Sequence, residues 1–207
     1  ERTQEVALYE GMLRNDPGNA VALERLMYAH RFFAEIELAR GEVEAAAQQV
    51  AQANRLAQRQ LQLEPGNVDW QQAAAKSRLM QADILLWQDK PQAGLTVLQS
   101  ARPLVAGLLA RDPKLWAWRV ELQETQAQVE SDVLRALGRP QEALRIAEAS
   151  VQCLEGLMGD PALRLLLGGG PAGRPERLLR LVALELRLLE REEALLVLAS
   201  REQGFGD

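Results

Sequence analysis

The stretch Asn15-Asp16-Pro17-Gly18-Asn19, NDPGN, decides how this chain is read. A near copy, LEPGN, stands at Leu63 to Asn67, and shorter echoes at Arg111 to Pro113 (RDP) and Gly159 to Pro161 (GDP). The four prolines are Pro17, Pro65, Pro113 and Pro161, so each step is 48 residues. A turn that returns at one fixed interval marks stacked structural units, and periods of this size are the signature of solenoids and related arrays.

Other columns keep the same spacing. Trp70 and Trp118 are 48 apart. A small residue followed by an acid recurs at Ala34-Glu35, Ala82-Asp83 and Ser131-Asp132, the last after one inserted residue. A second turn follows at Gly41, Asp89 and Gly138, then EVEAA, KPQAG and RPQEA from Glu42, Lys90 and Arg139. Small residues close the pattern at Ala46, Gly94 and Ala143. Each unit therefore reads as helix, tight turn, helix, acid-Pro turn. Proline suits the first turn of a helix, where its missing N–H has no partner to lose. Asp16 and Asp112 are then the expected N-caps. Gly41 and Gly138 fit the left-handed ending of each unit's first helix. The small mid-helix residues let two helices approach closely.

Composition agrees. The chain of 207 residues is 47% apolar but only 4% aromatic, and Ala, Leu, Gln, Glu and Arg dominate, which selects an all-α class. The net charge of -5 argues against a nucleic-acid partner, which calls for a basic face. No apolar run of spanning length lacks charges, so no membrane span is read. Cys153 is a single cysteine in an apolar helical stretch and is expected to be buried and structural.

The small residue, the G-x-x-x-E-A pattern and the Pro turn resemble the tetratricopeptide repeat, whose unit is about 34 residues. The longer unit fits two extra helical turns split between the two helices, since seven residues are nearly two turns and keep the same face inward. The stretch Glu64 to Gln71, EPGNVDWQ, looks like the form carried by large bacterial regulatory and signalling proteins. The resemblance implies an α-solenoid of antiparallel helix pairs, a right-handed superhelix, over the whole chain as one repeat domain. Residues 1–15 are the end of a preceding repeat, 16–63, 64–111 and 112–159 are three units, and 160–207 is a degenerate capping repeat. Pro103 is expected to kink the second helix of the second unit. The opening fragment implies that the array began before Glu1.

Chemistry-bearing residues are sparse. The loop GGGPAGRP, Gly168 to Pro175, lacks the Lys and hydroxyl of a phosphate loop and no strand precedes it. His30 is the sole histidine, so neither a metal site nor a catalytic triad is expected, nor any cofactor. The resemblance places Glu35, Asp83 and Asp132 along one face of the first helices, lining a groove with Arg31, Leu79, Leu86 and Trp87. The same acids have a structural alternative, pairing with Arg31 and Arg135 at helical spacing. Trp70 and Trp118 read as packing between units. Arg31 and Lys76 also fall where the family grips peptide carboxylates, but Thr125 and Gln128 in the third unit do not continue that clamp.

The reading is a non-catalytic scaffold for a protein or peptide, in a fragment of a larger protein. Alternatives are a sensing domain of a bacterial kinase or winged-helix regulator, and self-association through the apolar C-terminal helices, Pro175 to Ser200. The compartment, cytoplasm or periplasm, is open.

Overall fold

The computed structural model describes residues 2–113, 115 and 118–158. All regular structure among them is helical: α1 (Arg2–Asn15), α2 (Ala20–Ala39), α3 (Val43–Leu63), α4 (Val68–Trp87), α5 (Pro91–Arg111), a π-helical segment (Arg119–Glu124) running into α6 (Thr125–Ala136), and α7 (Pro140–Met158). The helices divide between two compact units, Glu1–Leu115 and Trp116–Asp207. Within the first unit each helix packs on the next, from α1 to α5, and in the second α6 packs on α7. The glycine loop and the proposed capping repeat lie outside the described residues.

The acid-Pro turns are built differently from the expectation. The N-caps are Asn19 and Asn67, whose side chains accept the N–H groups of Ala22 (3.0 Å) and Trp70 (3.2 Å). Pro17 and Pro65 lie in the turn, ahead of the helix. Asp16 accepts the Gly18 N–H within that turn (3.1 Å) rather than capping α2. Asp112 closes α5, its N–H donating to the Leu108 carbonyl. Asp and Asn are equally good caps, so the one adjacent to the first helical residue takes the role. An arginine from the unit's second helix reaches back over each turn, Arg59 to the Pro17 carbonyl and Arg111 to the Gly66 carbonyl (3.2 Å).

The second turns follow the pattern read from the sequence. Gly41 and Gly138 have φ of 78° and 70°, and Asp89 adopts φ 55° at the matching position. In all three the next residue's N–H returns to a carbonyl five back: Glu42 to Glu37, Lys90 to Leu85 and Arg139 to Leu134. This ending satisfies carbonyls that the helix leaves open.

The small residues are where the helices meet. Ala34, Ala46 and Val50 pack with Ile84, and Met27 packs with Ala53, Ala57, Ala73 and Ala74. In the second unit Leu134 packs with Ala143 and Ala147, and the Ser131 hydroxyl donates to the Ala143 carbonyl. Trp70 and Trp118 are both buried, as packing residues should be. Helix α5 runs unbroken through Pro103. It is long and apolar enough to cross a membrane by length and composition, yet Leu95, Leu98, Val105 and Leu108 point into the first unit.

The inserted residue of the third repeat has a structural counterpart. The π-helical segment Arg119–Glu124 lies between Trp118, which keeps the 48-residue register, and Ser131, which is displaced by one. A π turn bonds i to i+5 and so holds one residue more than an α turn. The extra residue is spent there, and Val133, Leu134 and Ala143 return to buried positions.

One core position conflicts with its surroundings. Gln60 on α3 is fully buried, and neither amide atom has a hydrogen-bond partner among the described residues. An unpaired buried polar group costs roughly 1–3 kcal/mol. Gln60→Met keeps the length and removes both polar atoms, so it should stabilise the protein by about 1–2 kcal/mol. Urea titration checks this; an unchanged or lower midpoint would show that the amide is satisfied in solution.

Candidate functional site

Among the described residues of the first unit, a groove between α1, α2 and α4 gathers aromatic and charged side chains. It encloses roughly 490 Å³ and is lined by Glu5, Val6 and Tyr9 of α1, by α2 residues from Arg25 to Glu35, and by Lys76 of α4. On α2 the lining runs Arg25, Tyr28, Phe32, Glu35, and Val21 extends the same row. These positions step by 4, 3, 4 and 3, which keeps them on one face of an α-helix. The opposite face of α2 buries Ala22, Leu23, Leu26, Met27 and Ala34 in the core.

The row is apolar at its centre and charged at its ends. Phe32 is half-buried and stacks obliquely on Phe33, with ring centroids 6.3 Å apart. Tyr28 is 46% exposed. Its hydroxyl is held above its ordinary acidity range, chiefly by burial and then by Glu24 and Asp69, against the pull of Arg31 and Arg25. It therefore presents a neutral phenol, able both to donate and to accept. His30 lies beside the row and is anchored, its Nδ1 2.7 Å from Gln49 Oε1, which fits a structural role.

The expected binding residues divide. Glu35 and Arg31 line the groove, and so does Lys76. Leu79 does not: it is 1% exposed in the core, because its position on α4 faces the neighbouring helices. Asp83 and Leu86 are half-buried on α4 outside the lining. Trp87 is 64% exposed but ends α4, away from the groove. Asp132 belongs to the second unit, where Arg135 pairs with it at 3.4 Å. Burial raises the Asp132 carboxyl above its ordinary value, and Arg135 opposes that rise. Asp132 thus makes the pairing with Arg135 that the structural alternative expects.

Glu5, Val6, Tyr9, Arg25, Tyr28 and Phe32 were not singled out by the sequence. The 4-3-4-3 spacing on α2 was visible, but a row mixing Arg, Tyr, Phe and Glu carries no clear apolar periodicity.

The second unit holds a smaller polar cluster at the π segment. Glu124 is 5% exposed and accepts the Ser150 hydroxyl on one carboxylate oxygen, while the other has no partner among the described residues. Cys153 is half-buried rather than buried, with Arg119 Nη1 and Gln123 Nε2 each 3.4 Å from its sulfur. Among the described residues no cluster of ligands could hold a metal ion.

Burial is the main cause that lifts the Glu124 carboxyl above the usual 4.5, with the Ser150 hydrogen bond opposing it. The folded state therefore holds this proton more tightly than the unfolded state. The stability so conferred is present below the unfolded value and is lost as pH rises through the folded one. Glu124→Gln cannot titrate and keeps the acceptor for Ser150. Its melting temperature should match that of the parent near about pH 4 and exceed it at neutral pH, where the parent must bury a charge. Thermal unfolding across that range measures this; a difference independent of pH would contradict it.

No family model matches the chain, and neither a curated protein nor a solved structure matches it.

Proposed function

We propose that the chain is a non-catalytic interaction scaffold, a solenoid of antiparallel helix pairs of the tetratricopeptide kind, and that its groove between α1 and α2 binds a protein or peptide partner. The observation that carries the reading is the groove itself. Two aromatic side chains, Tyr28 and Phe32, stand on the outward face of a helix whose other face is fully used in the core. Aromatic residues flanked by charges of both signs are the composition of a recognition surface, where Tyr and Arg supply most of the binding energy. The repeat supports the scaffold reading, because such stacks present extended surfaces for partners.

The test is affinity capture from the source cells with the intact chain, compared with a Tyr28→Ala/Phe32→Ala variant and with Trp87→Ala. The aromatic pair should be worth about 2 kcal/mol or more, a drop of roughly 30-fold in partner recovered. Trp87→Ala should retain the partner. Equal recovery by the groove variant, with its helical spectrum intact, would overturn the reading.

A further inference from the structure

The π-helical segment of the second unit grips one short strip of α7. Arg119 Nη1 and Gln123 Nε2 each stand 3.4 Å from the Cys153 sulfur, and Glu124 accepts the Ser150 hydroxyl. Ser150 and Cys153 are one helical turn apart, so all three contacts fall on the same face of α7. The grip is under-satisfied. Gln123 Oε1 and Glu124 Oε1 are both buried without a hydrogen-bond partner among the described residues. The backbone there is also in a rare form, a single π turn inside an α-helix, which is common at functional sites. Just beyond it the Thr125 hydroxyl donates back to the Glu121 carbonyl (3.0 Å), a bond that bends helices and weakens them slightly.

We propose that the π segment is a proton-operated latch on α7, closed while the Glu124 carboxyl is neutral and released when it ionises. An ionised carboxylate offers about four acceptor sites, and the Ser150 hydroxyl serves only one of them. Burying that charge is far costlier than burying the neutral acid. Release carries Glu124 into water and takes the adjoining Gln123 amide with it, so both unmet oxygens are hydrated in one movement. The same movement withdraws Gln123 from the Cys153 sulfur. The latch lies wholly within the second unit and stands whether or not the groove of the first unit binds a partner.

The surrounding groups leave this proton to Glu124. On α7 the charged residues Arg145, Glu148 and Glu155 are exposed, whereas Ser150 is buried, and Glu142 pairs with Arg139 at 2.6 Å. Within the π segment Glu121 is exposed and Arg119 turns to Cys153. On α6, Asp132 pairs with Arg135, and the buried Glu130 stands six residues beyond Glu124, about 9 Å along the helix. Burial, opposed by the Ser150 hydrogen bond, is what governs the Glu124 proton. The folded state holds that proton more tightly than the open one, so the latch is closed in acid and released as pH rises through the folded value.

Amide hydrogen exchange on the full 207-residue chain tests this, with parent and Glu124→Gln compared at the same pH so that intrinsic exchange cancels. At about pH 4 the two should exchange alike over residues 119–124. At about pH 7 the parent should exchange there roughly fivefold faster or more, while α2 to α5 of the first unit exchange alike in both. Ser150→Ala removes the one donor to the carboxylate. It should speed exchange over the segment further at neutral pH and much less in acid. That variant carries the test by itself if Glu124→Gln loses its helical signal. Equal exchange of parent and Glu124→Gln at both pH values overturns the latch, and so does a difference of the same size at both. A Ser150→Ala effect that does not grow with pH overturns it as well.

Discussion

Deleting Arg78 from the middle of α4 should abolish folding of the first unit, whereas deleting Thr125 from the second should leave its helices in place. One residue removed from an α-helix turns everything beyond it by about 100°. In α4 that separates Trp70, Ala73 and Ala74 from Leu79, Ala82 and Ile84, all now buried on a shared inner surface. Several core side chains would be turned toward water together, far more than a domain's usual margin of about 5–15 kcal/mol can absorb. Thr125 is exposed and follows the π-helical segment, where one residue is already in excess of the repeat. Its loss should convert the π turn to an α turn and restore the 48-residue register to Ser131, Val133 and Ala143. Circular dichroism and thermal unfolding distinguish the two. The Thr125 deletion should shift melting by only a few degrees; loss of the helical signal there would mean that the π segment is not an accommodated insertion.

The second large effect comes from placing a large side chain beneath α2. Ala57 is 1% exposed beneath α2, and its repeat equivalent Tyr9 lines the groove. Ala57→Tyr should push α2 off α3 and α4 at a cost of about 3 kcal/mol or more, the upper range for overpacking a core. For a unit of this size that lowers melting by roughly 10 °C. The reciprocal Tyr9→Ala should cost under about 1 kcal/mol, because Tyr9 is only half-buried. Similar losses for the two changes would contradict the close packing of α2 on Ala57.

The parts of the fold that were legible are those set by local backbone geometry. Gly41 and Gly138 announce left-handed turns because glycine alone enters that region freely, and Asp89 could be placed with them only by the repeat. Ala34, Ala46 and Ala82 stand out because close helix approach demands small side chains. The capping residue was misplaced because Asp16 and Asn19 are equally able acceptors, and only the length of the Pro-Gly turn decides between them. The lining of the groove was the least legible. Leu79 and Glu35 both fall on first helices, yet which faces are covered depends on the neighbouring helices, and spacing within one helix does not report those.

The central claim is that the outward face of α2, with α1 beside it, is where a partner binds. Hydrogen–deuterium exchange of the intact chain, with and without its captured partner, tests this most directly. The account predicts slowed exchange over Glu5 to Tyr9 and Arg25 to Glu35, with the turn after Trp87 unchanged. Protection confined to the Trp87 turn or the exposed side of α5, with α1 and α2 exchanging as in the free chain, would contradict it.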